Sequence, residues 1–296
     1  MRLPTIKQLQ YFLALTETGH FGRAADRCFV SQSAFSNAIQ ELEATLSAPL
    51  VDRTNRNVTI TAKGQEVAVQ ARLVVRDVES LVETARGNDK PLAGELRLGV
   101  IPTIAPFMLP GALPKLRKNY PDLKLLLAED QTDRIVRRLM DGELDVLLLA
   151  LPWQMQGVEE MPLFRDPFCL ASREGTKRVD PENYRYNRLD SDSILLLEDG
   201  HCLREHALAA CKLRDTEKVR RFGASSLLTL IEMVDADLGI TFLPEMAQGS
   251  ALLRNTRVRL SPLGERSYRT IGLAWRKGSR QADEFRLLGD FLRDNA

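Results

Sequence analysis

The stretch GHFGRAADRCFVSQSAFSNAIQELEATL, residues 19–46, decides the fold of the N-terminal part of the chain. FGRAADRC (21–28) is a short run of good helix formers. Phe29 and Val30 then turn the chain. Ser31 can cap a following helix, because its hydroxyl can accept a hydrogen bond from an orphan backbone N–H. In SQSAFSNAIQELEATL the apolar positions Phe35, Ala38, Ile39, Leu42 and Leu46 recur at helical spacing. Upstream, TIKQLQYFLALTETG reads as an amphipathic helix through Leu9, Phe12 and Leu13, stopped near Gly19. Downstream, LVDRTNRNVTIT reads as a hairpin turning at Thr54-Asn55 or Arg56-Asn57. Helix, short helix, tight turn, helix and β-wing make the winged helix-turn-helix plan, assigned to residues 1–61.

In that plan the third helix lies in a DNA major groove and shows its N-terminal residues to base edges. Those residues are Gln32, Ser33, Ser36, Asn37 and Gln40. Gln and Asn can bond adenine bidentately, and Ser serves base or phosphate. Arg23, and Arg53 and Arg56 on the wing, are placed for phosphate. The segment to Lys63 carries seven Lys/Arg and five Asp/Glu, a modest positive balance. A small helical packing domain is the competing reading, and a wing with two arginines argues against it.

The whole chain has 296 residues, so two or three domains are expected. Hydrophobic residues at 44% and charged residues at 27% are an ordinary globular balance. A net charge of +1 does not by itself announce nucleic acid or an anionic membrane. No apolar run is long enough to span a bilayer, and the N-terminus lacks the pattern of a signal peptide. The expected location is the cytoplasm, where thiols are kept reduced. Structural disulfides are therefore not expected among the four cysteines.

Residues 62–87 read as one long helix. Val67, Ala71, Val74, Val78, Leu81 and Ala85 follow the heptad spacing of a coiled-coil seam, which points to dimerisation. A helix packed on its own domain is the alternative. GNDKPLAG (87–94) breaks the pattern with two Gly and a Pro, and residues 88–94 form a hinge. From 95 to 296 short apolar runs alternate with helical stretches. ELRLGVI, LKLLLAE, LDVLLLAL, SILLLED, ITFLPE and TIGLAW read as strands. FMLPGALPKLRKNYP, TDRIVRRLMDG and LLTLIEMVDADLG read as helices. This alternation implies parallel sheet covered by helices, in two small α/β lobes.

EDGHCLREHALAAC (198–211) carries the most chemistry. Cys202 and Cys211 are nine residues apart, with helix formers between. A helix would separate them by roughly 14 Å along its axis. A disulfide needs Cα atoms within about 7 Å, so a bridge requires that helix to unwind. Cys202 falls at a helix N-terminus, where the dipole favours a thiolate, and His201 and Arg204 add positive character. A thiolate can attack a peroxide oxygen to give a sulfenic acid, with which Cys211 could condense. Two other readings stay open. The thiols can be inert packing residues. They can also belong to a metal site, since Cys202 and His206 have i, i+4 spacing, although Cys211 faces away and no CxxC or HxxxH is present. Cys28 and Cys169 read as packing residues, and His20 as a neighbour of a helix cap. No phosphate loop, GxSxG elbow or HExxH appears, and no cofactor or metal is expected.

The order helix-turn-helix, linker helix, two-lobed effector domain resembles the LysR-type transcriptional regulators over essentially the whole chain. The fold class is then α+β multidomain: winged helix-turn-helix, long linker helix, and a two-lobed α/β effector domain like a periplasmic binding protein. GVIPTIAPFMLP, AEDQT, LLLEDGHCLREHALAAC, GITFLPE and RTIGLAWRKGS resemble the peroxide-sensing OxyR subfamily. The resemblance implies that Cys202 is the peroxide-reacting cysteine and Cys211 the resolving one. It implies a peroxide pocket of Thr103, Thr132, His201 and Arg269. Ser225 stands where the subfamily often has Thr. Further departures are Ser33 for Pro, Ser47 for Gly and Val51 for Phe or Leu. The implied partners are double-stranded DNA, a second copy in a dimer of dimers (a homotetramer), RNA polymerase, hydrogen peroxide as signal, and a dithiol reductant of the glutaredoxin or thioredoxin type. The expected function is a redox-sensing transcription regulator and not an enzyme. Its rivals are a regulator of the same architecture that senses a small organic ligand between the lobes, and a thiol peroxidase.

Overall fold

The computed structural model describes residues 3–53, 58–85, 90–210, 218–219, 223–264 and 266–295. By internal contacts the chain divides into an N-terminal unit ending at Lys90, to which Met140–Glu143 also group, and a larger unit from Pro91 onward.

The N-terminal unit begins with α1 (Ile6–Thr18), α2 (Phe21–Arg27) and α3 (Gln32–Leu46). Each start is capped. Thr5 and Gln8 form a reciprocal capping box on α1. His20 is itself the cap of α2, its Nδ1 accepting from the N–H groups of Gly22 and Arg23. Ser31 Oγ accepts from the Ala34 N–H at the start of α3. The wing is the antiparallel pair β1 (Val51–Arg53) and β2 (Val58–Ile60). Glu43 of α3 holds the entry to β1, accepting from the N–H groups of Leu50 and Val51. Phe12, Leu15, Phe35, Ile39 and Leu42 are fully buried, and Tyr11 stacks on Phe35 at 5.2 Å. Burying one such side chain contributes about 1.5–3 kcal/mol.

α4 (Ala62–Ala85) is the long helix expected from the heptad spacing. Its first turns join the domain core through Ala68, Ala71 and Val75. The seam residues Val74 and Leu81 are exposed, together with Val82. The small residues Gly64, Ala68 and Ala71 suit close packing of the helix. At Gly64 a Cβ would lie 2.2 Å from the Leu50 carbonyl oxygen.

The larger unit contains β3 (Gly94–Val100), α5 (Ala105–Asn119), β4 (Leu123–Glu129), α6 (Thr132–Met140) and β5 (Val146–Leu151). The long β6 (Val158–Arg173), α7 (Cys202–Ala210), α8 (Leu227–Asp235), β7 (Thr241–Pro244), β8 (Val258–Pro262), β9 (Tyr268–Arg276) and α9 (Ala282–Asp294) follow. The strand order is β4-β3-β5-β9-β6-β7, with β8 also paired to β6. Among the described residues the β3–β4 and β3–β5 ladders are parallel, as are the isolated bridges of Ile194 and Leu197, while β9 runs antiparallel to both β5 and β6. The sheet is therefore mixed, which corrects the expectation of a parallel sheet. SILLLED is also not a ladder strand. Ile194 and Leu197 make isolated bridges, although Ile194–Leu197 are all buried.

Two apolar cores lie along this sheet. The first gathers β3, β5 and β9 with α5, α6 and α9. The second gathers the C-terminal part of β6 with α7, α8 and β7. β6 serves both, since nine of its first ten residues pair with β9 and its last residues pair with β7 and β8. α7 also serves both. Cys202 belongs to the first core, whereas Leu203 and Ala207 belong to the second.

Candidate functional site

In the N-terminal unit, Gln32, Ser33, Asn37 and Gln40 of α3 are exposed and Ser36 is half-buried. Phe35, Ile39 and Leu42 turn inward. The outward face can thus reach base edges while the inward face anchors the helix. Arg23 is exposed and donates to the Thr18 carbonyl at 2.7 Å, which fixes it at the end of α1. Arg56 and the side chain of Arg53 lie outside the described residues.

In the larger unit, Thr132 and Arg269 act on Cys202, and Thr103 bonds that same Arg269. Thr103 follows β3, Thr132 opens α6, Arg269 lies on β9, and Cys202 is the first residue of α7. Cys202, Thr103, Thr132 and Arg269 are each 1% exposed. The Arg269 guanidinium is held on three sides. Nε donates to Asp166 Oδ2 at 2.9 Å, Nη1 to Thr103 Oγ1 at 3.0 Å, and Nη2 to the Thr103 carbonyl at 2.9 Å. Nη2 also meets the Met246 sulfur at 3.5 Å. Asp166 Oδ1 accepts from the Met246 N–H at 3.2 Å. Because Thr103 Oγ1 accepts from Arg269, its own proton remains available to donate.

Burial pushes the Cys202 thiol above its ordinary pKa, and this exceeds the opposing influences. The Thr132 hydroxyl, the Arg269 cation and the backbone at Ala150 pull it down. Among the described residues Thr132 Oγ1 has no hydrogen-bond partner of ordinary geometry, so a buried hydroxyl stands ready beside the thiol. The helix N-terminus therefore does not by itself yield the thiolate that its position suggested. Nor do the expected cations supply it. Burial lowers the pKa of His201, keeping it neutral, and its charged neighbours are Glu198 and Asp130. Arg204 pairs with Asp199 at 3.0 Å. The positive charge comes from β9. Ser225 meets His201 through its backbone, and its own side chain is exposed. Cys211 lies outside the described residues.

Two residues escaped the sequence reading of the pocket. Asp166, 3% exposed, is the counter-ion that fixes Arg269. Its only signal was an acid inside the apolar run FRDPFCLAS. His206, weighed only as a metal ligand, places Nε2 3.4 Å from the Pro152 carbonyl and feels the Arg269 charge. Its buried Nδ1 has no hydrogen-bond partner among the described residues. Among the described residues no group of His, Cys, Asp or Glu could hold a metal ion, and no helix is long and apolar enough to cross a membrane.

A helix-turn-helix unit followed by a two-lobed α/β unit defines a DNA-binding transcription regulator with a built-in sensor domain. The chain belongs to the LysR family of bacterial regulators. Residues 6–65 match the bacterial regulatory helix-turn-helix protein model of that family, and residues 89–296 match the LysR substrate binding domain. It is 39% identical to the HTH-type transcriptional regulator EstR of Acinetobacter baylyi, over 98% of this chain and 97% of that one. It is 38% identical to the hydrogen peroxide-inducible genes activator of Escherichia coli O6:H1, over 97% of this chain and 94% of that one. A full-length OxyR variant from Pseudomonas aeruginosa superposes with a TM-score of 0.78 at 30% identity, covering 99% of each chain. As the family implies, the chain binds DNA and regulates transcription.

Proposed function

We propose that the chain senses hydrogen peroxide through Cys202 and converts its oxidation into a change of DNA binding. The carrying observation is the surroundings of that thiol, a buried sulfur with the Thr132 hydroxyl and the Arg269 cation both favouring its ionised form. The thiol gives up its proton and the sulfur attacks one peroxide oxygen. The O–O bond breaks, the leaving hydroxide takes the proton as water, and Cys202 becomes a sulfenic acid. Thr103 and Thr132 are suited to orient the peroxide and donate to the departing oxygen. Arg269 stabilises the charge that builds there. His201, held by the Ser225 backbone, and Ser225 complete the peroxide pocket in this reading. The Cys211 thiol then displaces hydroxyl from the sulfenic sulfur, forming a disulfide and a second water. α7 separates the two positions, so this step requires it to unwind. A dithiol reductant of the glutaredoxin or thioredoxin type resets the pair.

The domain plan is 1–61, 62–87, 88–94 and 95–296. Exposed Val74, Leu81 and Val82 on α4 support pairing with a second copy, and we read the assembly as a dimer of dimers on double-stranded DNA, in the cytoplasm, in contact with RNA polymerase. Gln32, Ser33, Ser36, Asn37 and Gln40 read the bases, and Arg23, Arg53 and Arg56 the phosphates.

The test treats reduced protein with about one equivalent of peroxide, alkylates the remaining thiols, and maps them by mass spectrometry. A rapid, selective Cys202–Cys211 bridge is expected, absent in Cys202→Ser and in Cys211→Ser. If all thiols stay open to alkylation, the reading fails and the signal is a small molecule between the lobes. Peroxide consumption well beyond one equivalent per subunit with a dithiol supplied would instead make the protein a peroxidase.

A further inference from the structure

Phe29 breaks two local rules at once. It sits in the turn between α2 and α3 with φ +56°, the left-handed region that L side chains avoid. It is also 95% exposed, the most exposed large apolar residue among those described. The hydrogen bonding explains the backbone. The Phe29 N–H donates to the Asp26 carbonyl and the Val30 N–H to the Ala25 carbonyl, both at 3.1 Å. This is a Schellman turn ending α2, and Phe29 holds the position normally given to Gly or Asn. At the ends of α1 and α3 the equivalent positions carry Gly19 and Ser47, both small. Val30, the next residue, packs against the domain core, so Phe29 gains nothing from packing while its neighbour does. A residue that is strained, apolar and solvated points to a role outside the fold.

The place indicates which role. Phe29 lies two residues before Ser31, the cap of α3, and three before Gln32, which with Ser33 opens the exposed groove-reading face. With α3 in the major groove, a side chain at that position reaches the groove edge beside the helix N-terminus. The apolar group presented there by DNA is the C5-methyl of thymine. We propose that Phe29 is a specificity-determining residue that packs on a thymine methyl in each operator half-site. The proposal rests on the DNA-binding activity of the family and is independent of peroxide sensing.

The test uses full-length protein and a duplex selected by the wild type from a randomised pool. Each thymine is replaced in turn by deoxyuridine, which removes only the methyl group. Wild type should lose about fourfold in affinity at one thymine per half-site, the worth of one buried methyl. Phe29→Asn should melt at a higher temperature, because Asn accepts the left-handed turn, and should bind the all-thymine duplex more weakly. It should be indifferent to deoxyuridine at the position where wild type is sensitive. Unchanged affinity of Phe29→Asn overturns the proposal. So does a deoxyuridine profile identical to wild type, which would make the contact one to sugar or phosphate. A lower melting temperature for Phe29→Asn would remove the strain on which the argument stands.

Discussion

Cys169 and Cys202 are equally hidden, at 2% and 1% exposure, yet one buried ion pair treats them in opposite ways. Burial first, then the carboxylate of Glu245 and after it that of Asp166, three residues before Cys169 on β6, raise the Cys169 thiol to about 11. Arg269, bonded to that same Asp166, presents its cation to Cys202 and pulls that thiol down against burial. Depth alone makes both sulfurs inert. The sign of the nearer charge separates a packing thiol from a candidate sensor.

The largest effect should follow from breaking the pair itself. Arg269→Met leaves the Asp166 carboxylate buried without its cation, with an expected loss of about 3–5 kcal/mol in urea unfolding. Arg269→Met combined with Asp166→Leu should recover most of that loss, since the uncompensated charge is gone. Cys202 in the double variant should still react with peroxide more slowly than in wild type. Equal rates would show that the cation does not distinguish the two thiols.

A smaller effect should appear in alkylation of the folded protein. With its pKa near 11 rather than 9.0, Cys169 carries about a hundredfold less thiolate at pH 8 than an ordinary cysteine. Asp166→Asn should speed its alkylation, because one of the two carboxylates raising the pKa is removed. No change in rate would mean that burial alone protects it.

The smallest effect concerns the histidines near α7. Burial lowers the pKa of both His201 and His206 in the folded chain. The unfolded chain therefore takes up protons first, and the larger unit should lose stability as pH falls below about 6.5. His206→Gln should flatten that dependence in melting curves between pH 7 and pH 5. An unchanged slope would place the titration elsewhere.

The helix-turn-helix was legible because its signals are local. Ser31, the 3–4 spacing of α3 and Gly19 each act within a few residues. α7 was legible for the same reason. The direction of β9 was not, because TIGLAW reads as the same apolar run whichever way the chain returns. Its antiparallel place between β5 and β6 is set by tertiary packing. That place is what carries Arg269 to the thiol, so only family resemblance pointed to it. Asp166 was hidden because a lone acid on a strand ordinarily reads as solvated, and its partner lies 103 residues away. On α4 the seam and the packed face differ by one residue, Ala68 beside Val67 and Val75 beside Val74, which spacing alone does not separate.

α7 begins in one core with Cys202 and continues in the other with Leu203 and Ala207. Drawing Cys202 out to meet Cys211 would empty a site in the first core and strip the second of its neighbours. That lost packing would be subtracted from the free energy of the bond. Each 1.4 kcal/mol so lost would move a two-electron couple about 30 mV toward easier reduction. By this reasoning the tightness of two hydrophobic cores, and not the sulfur chemistry alone, would decide how long the oxidised protein remembers that it met peroxide.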